Sequence, residues 1–142
     1  MLANPFNVAS VSALLSTVVS LIGGVGAWVL GGAPDWEDVR PLSRVGFSAA
    51  AVAVCNFPAS LDVAPAVWAW SGRVQILAVA LHVAAWYEYA LQWAPLPRRW
   101  RRALFAPLLG AGALALVPGA VYGGAVSIRP VPWLGKIGRA HV

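Results

Sequence analysis

Few side chains in this sequence can do chemistry, and four of them, Asp62, Arg73, His82 and Glu88, fall in or beside one apolar stretch. His82 is followed at i+4, i+7 and i+11 by Trp86, Tyr89 and Trp93, a spacing that puts all four on one helical face. Imidazole changes charge nearest neutral pH. An ionisable group at membrane depth is costly, so it marks a functional position by default. Two readings of His82 stand: a neutral ring bonded to a neighbouring helix, or a proton sensor or ligand contact. A metal or haem site would need a second donor, and His141 is the one other histidine. Glu88 lies six residues on, about 9 Å further along the axis and on another face, so neither residue is the other's partner within one helix. It reads first as a snorkelling or partly hydrated acid; the alternative is a pair with an arginine of the basic segment that follows. Asp62 and Arg73 bound an expected loop and read as solvated interface residues, or as ligand contacts.

No catalytic set accompanies these groups. The sequence lacks a Gly-rich phosphate loop with its lysine, a nucleophile beside a histidine and an acid, and paired carboxylates within one apolar run. The GGVG at residues 23–26 lies inside an apolar run, where it serves packing. A single cysteine, Cys55, offers no disulfide and no multi-cysteine metal site within one chain. No cofactor is expected.

The elements that must carry these residues are membrane helices. Of 142 residues, 60% are hydrophobic and 11% charged, where a soluble domain carries about 25% charged residues. Mean hydropathy is +0.72. Eight Trp and three Tyr suit the headgroup level of a bilayer. The net charge of +5 does not point to nucleic acid, because Arg98, Arg99, Arg101 and Arg102 hold four of the ten basic side chains in one cluster beside an apolar run. The expected fold class is all-α, a multi-pass bundle of about four transmembrane helices at 8–30, 45–61, 68–93 and 103–128. The second is short for a span, and Pro107 and Pro118 should kink or delay the fourth. Ser12, Ser16, Ser20 and Gly24 recur every four residues in helix one, beside a row through Gly23, Ala27 and Gly31. Helix four repeats the device at Gly119 and Gly123. Small residues so spaced let helices approach closely, within one chain or as the seam of a homodimer.

Orientation follows from the basic residues. The segment 94–102 (APLPRRWRR) carries a four-arginine excess that marks the cytoplasmic side. Alternation then places the loop 31–44 inside, with Arg40 and Arg44, and the N-terminus outside. The last residues, 137–142 (IGRAHV), read as translated sequencing adapter. The transmembrane domain is then 1–136, with four helices a lower bound.

Three stretches carry a family resemblance: WAWSGRVQ (68–75), HVAAW (82–86) and PLPRRWRRAL (95–104). With the hydropathy of residues 9–135, they make the chain similar to the N-terminal seven-helix membrane region of bacterial sensor histidine kinases. That resemblance implies an outside N-terminus, short loops, a last helix that leads inward to PAS and kinase domains, and an inner-membrane location. The family's catalytic residues lie in domains outside this sequence, so none carries over. The expected function is a sensory input module of two-component signalling, with the lipid bilayer as partner and the ligand unknown. The alternative is a fragment of a small-solute transporter.

Overall fold

A computed structural model describes residues 7–61, 63–94 and 96–121 in full, and the backbone of 126–131 and 135–140. Four helices follow one another: α1 (Val8–Leu30), α2 (Leu42–Ala59), α3 (Pro65–Ala90) and α4 (Arg98–Leu114). Each packs against the next in sequence. Three segments, Val8–Leu30, Glu37–Ala59 and Pro65–Ala90, are long and apolar enough to cross a membrane. That is the make-up of a multi-pass membrane protein.

The helix starts are set locally. Asn7 caps α1: its side chain accepts from Ser10 N at 2.9 Å, while its own N–H donates to Ser10 Oγ at 2.9 Å. This reciprocal pairing satisfies two backbone donors that a helix N-terminus leaves open. Pro65 opens α3 at the position where a missing N–H costs nothing. Between α1 and α2 the chain turns through Asp35, at φ 66, and a short 3-10 turn at Glu37–Val39. That turn extends the second apolar segment to 23 residues, so the run expected at 45–61 begins earlier and ends two residues sooner.

Small residues form the interior. The buried apolar residues are Ala13, Ala27, Val45, Ala50, Ala53, Ala78, Ala80, Ala85 and Ala115, while Leu15, Val19 and Ile22 are 61%, 67% and 67% exposed. Water would penalise such an arrangement, but lipid does not, since close backbone approach rather than burial of large apolar groups holds helices together there. The α1–α2 contact is tightest at Gly24 and Gly46, where a Cβ built on Gly46 would lie 2.5 Å from Gly24 Cα. The α3–α4 contact is tightest at Gly112, where a Cβ would come within 2.7 Å of the Ala80 Cβ.

Three expectations are corrected here. Helix four does not run over 103–128: it starts at Arg98, carries Pro107 inside and ends at Leu114. Pro118 and Gly119, at φ +82, lie beyond its end in a turn, so Gly119 packs no helix, and Gly123 lies outside the described residues. The chain then forms two strands, β1 (Val126–Val131) and β2 (Gly135–Ala140), paired antiparallel with Val126 opposite Ala140 and Val131 opposite Gly135. The small-residue rows expected on α1 match the buried face only in part, at Gly24, Ala27 and Gly31. Ser12 and Ser16 are exposed, and the buried face runs through Ser10, Ala13, Thr17, Gly24 and Ala27. A strict four-residue step advances about 40° beyond a full turn each time, so a row begun at Ser12 reaches the interface only near Gly24.

Candidate functional site

Two polar layers tie α2 to α3. The inner layer comes from α2 residues Arg44 and Ser48, one turn apart, and α3 residues His82, Trp86 and Glu88. Ser48 Oγ lies 3.0 Å from His82 Nδ1, and Trp86 Nε1 lies 3.1 Å from His82 Nε2. An indole N–H can only donate, so Nε2 must accept and carry no proton. In a neutral ring the proton then sits on Nδ1 and points to Ser48 Oγ, whose hydroxyl donates to Val45 O at 3.0 Å. The chain Trp86 to His82 to Ser48 to Val45 is thus satisfied in one direction, and only with uncharged imidazole. A doubly protonated ring would set two donors, His82 Nε2 and Trp86 Nε1, against each other.

Beside it, Arg44 pairs with Glu88 at 2.5 Å. The pair borders a groove of 500 Å³ that also reaches Ser48 and Ala85, and on α4 Phe105 and Leu109. Glu88 does not pair with the basic segment. Its partner is Arg44, because α2 runs alongside α3 whereas Arg98, Arg99, Arg101 and Arg102 lie exposed on the first turns of α4. His82 and Glu88 do not meet each other; each takes its partner from α2, as their angular separation on α3 requires. His82 and Trp86 meet edge to face at 6.3 Å and Trp86 and Tyr89 at 6.0 Å, so the aromatic face continues past the histidine. Trp93 lies beyond the helix end and is 73% exposed.

The chain matches no protein-family model, no curated protein and no solved structure. Its functional reading therefore rests on this geometry and on the sequence.

The outer layer gathers donors on the end of α2. Trp68 Nε1 donates to Ala59 O at 3.1 Å, Ser71 Oγ to Cys55 O at 2.5 Å, and Gln75 Nε2 to Asn56 Oδ1 at 2.6 Å. Asn7 Nδ2 reaches Ser60 O at 2.6 Å from the start of α1. Pro58 lies inside this last turn of α2 and supplies no N–H. Side chains of neighbouring helices bond the carbonyls around it, as an irregular helix end in lipid requires. A groove of 570 Å³ opens over this layer, between Ser12 and Ser16 of α1, Asn56 of α2 and Gln75 of α3.

Arg73 lies within α3, inside the span expected at 68–93, its guanidinium 5.2 Å from the Trp70 ring and its Nε buried without a hydrogen-bond partner. Asp62 lies outside the described residues. Sequence reasoning missed Arg44, Ser48, Asn56, Ser71 and Gln75 as partners. The legible signal was spacing, since Trp68, Ser71 and Gln75 fall at i, i+3 and i+7, and Arg44 and Ser48 at i and i+4. Among the described residues no group of three His, Cys, Asp or Glu could hold a metal ion. The chemistry open to the inner layer is proton exchange at His82.

Proposed function

We propose that this chain is a membrane-embedded sensory input module of bacterial two-component signalling, with its N-terminus outside the cytoplasmic membrane and the Arg98–Arg102 turn inside. The observation that supports it most is the bonding of His82, which joins α2 to α3 through a network complete only in one protonation state. A sensor needs an element with two arrangements and a stimulus that prefers one of them. Protonation of His82, or a ligand that competes for Ser48 or Trp86, would release α3 from α2 without unfolding either helix. Ser12 and Ser16, exposed on α1, are where a second copy would pack. The orientation rests on the arginine excess.

The test is made in the cell. His82→Ala should leave membrane insertion intact and change phosphotransfer to the response regulator; unchanged output and an unchanged pH profile at normal expression would reduce His82 to packing. Orientation is tested separately, by single cysteines in a Cys55→Ala background. A cysteine at Ala94 that reacts with an impermeant reagent added outside would invert the topology.

A further inference from the structure

Thr17 and Ser48 fold back on their own helices, donating to Ala13 O at 2.8 Å and to Val45 O at 3.0 Å. Ser12 and Ser16 do not: among the described residues neither hydroxyl has a hydrogen-bond partner. A serine in a membrane helix ordinarily takes a carbonyl of its own helix or a group on a neighbouring one, because hydrocarbon offers it nothing. Gln75 adds to this surplus. Its Nε2 donates to Asn56 Oδ1 at 2.6 Å and Asn56 Nδ2 donates to Val52 O at 3.3 Å, which leaves Gln75 Oε1 and one N–H of each amide over.

All four side chains line one groove, the 570 Å³ cleft between α1 and α3. Buried Ala13 and Ala53 also line it, and Ala53 lies about two turns from Gly46 on the α1 side of α2. At about 100° per residue, Asn56 stands about 60° from Ala53 and about 100° from Cys55, whose carbonyl meets α3. It therefore points between the two flanking helices. Val8 and Ser16 both line the groove, about 12 Å apart along α1, so it runs from the start of the span toward the membrane middle. Its volume and its make-up, mostly apolar with a few convergent polar groups between helices, are those of a small-molecule site. In the 440 Å³ groove between Val54, Pro58, Val67 and Val74, by contrast, the one hydroxyl, Ser71, already donates to Cys55 O.

The lining selects a class of ligand. None of its residues is ionisable, so a charged molecule would enter without a counter-charge. The serine hydroxyls can donate to a carbonyl, and Gln75 Oε1 can accept from an N–H. We infer that this cleft is a binding site for an uncharged, mainly apolar molecule that carries an amide group, its carbonyl held by Ser12 and Ser16 and its N–H by Gln75 Oε1. The site lies about 10 Å along α3 from His82 and does not depend on the signalling role proposed above. Ser12 turns about 100° from buried Ala13, so it stands at the rim, where a second copy packed on α1 would cover the groove and leave its floor open.

The whole chain, reconstituted in phosphatidylcholine bilayers, is photolabelled with a diazirine derivative of cyclohexanecarboxamide and the labelled residues are mapped by mass spectrometry. Labelling should fall on 8–16, 53–60 and 68–75. Unlabelled cyclohexanecarboxamide should suppress it at about a tenth of the concentration needed with isopropylcyclohexane, which keeps the shape without the hydrogen bonds, or with cyclohexanecarboxylate, which adds a charge. Ser12→Ala with Ser16→Ala should raise the carboxamide concentration needed by about tenfold. The same variant should keep its thermal stability in detergent, since neither hydroxyl is bonded within the protein. Ser20→Ala, one turn further on and outside the groove, should change nothing. Equal suppression by isopropylcyclohexane would make the cleft a seat for lipid chains, and equal suppression by the carboxylate would give it to an acid. Either result overturns the assignment, as does suppression of the double-alanine variant at the wild-type concentration.

Discussion

The two polar layers between α2 and α3 use the same donors and acceptors to different ends. In the outer layer Trp68 and Ser71 donate to backbone carbonyls of α2, beside an amide pair between Gln75 and Asn56. None of these groups titrates near neutral pH, and the carbonyls lie in the last turns of α2, where a helix end leaves acceptors open. In the inner layer side chains bond side chains, and His82, Arg44 and Glu88 can all carry charge. One layer repairs a helix end and the other can be rearranged by a proton. The number of hydrogen bonds does not separate them; what separates them is whether an acceptor can become a donor.

The largest expected effect tests whether the inner layer depends on the seat of α2 against α1. Gly46 lies between Arg44 and Ser48, and a Cβ there would fall 2.6 Å from Gly24 N. Gly46→Leu must push the two helices apart. It should cost about 3 kcal/mol or more, the upper range for overpacking, and should break the His82 and Glu88 contacts with α2. Gly26→Leu, where nothing lies within 4 Å, is the control and should cost little. Thermal denaturation in detergent measures both; equal effects would show that the close approach at Gly46 is not what holds α2.

A smaller effect should divide the layers by pH. Neutral His82 accepts from Trp86 and the doubly protonated ring cannot, so this bond exists only with Nε2 unprotonated. The nearby charges are Arg44 on α2 and Glu88 on α3, which offset each other, while α4 brings Phe105 and Leu109 to the same groove. His82→Leu should cost about 1 kcal/mol at alkaline pH, in the range for polar contacts between membrane helices, and should flatten the acid response. NMR of isotope-labelled histidine, in a His141→Gln background, should find the Nδ1–H tautomer. An Nε2–H tautomer would reverse the hydrogen-bond direction and remove the switch.

How much of this was legible follows from which signals are local. Three apolar runs, the aromatic face through His82, and the separation of His82 from Glu88 all depend on helix period and length, which the sequence carries directly. The end of α4 was misplaced because an apolar run through Val117 reads as continuous, whereas Pro118 and a left-handed Gly119 turn the chain. The Arg44–Glu88 pair was missed because two helices 44 residues apart in the chain meet at an angle no single-helix pattern encodes. The buried α1 face was read only in part, with Gly24 and Ala27 on it and Ser12 and Ser16 off it, because a perfect four-residue row is more visible than the alternating three and four that a real interface follows.

The smallest effect sharpens the contrast from the other side. Ser71→Ala removes the donor to Cys55 O and leaves Trp68 and Gln75 in place. The freed carbonyl keeps its place in a helix, and the variant loses a single hydroxyl contact, worth about 0.6 kcal/mol on average between membrane helices. That loss should be the same at acid and alkaline pH, because neither the serine hydroxyl nor the carbonyl titrates in this range. Combined with His82→Leu, the two costs should add, since the residues lie eleven positions apart on α3, about 16 Å along its axis, and share no partner. Denaturation curves for the two single variants and the double variant, each at two pH values, decide the matter. If Ser71→Ala alters the acid response as His82→Leu does, or if the pair departs from additivity by more than about 0.5 kcal/mol, then the layers act as one unit and the proton is sensed by the whole α2–α3 interface.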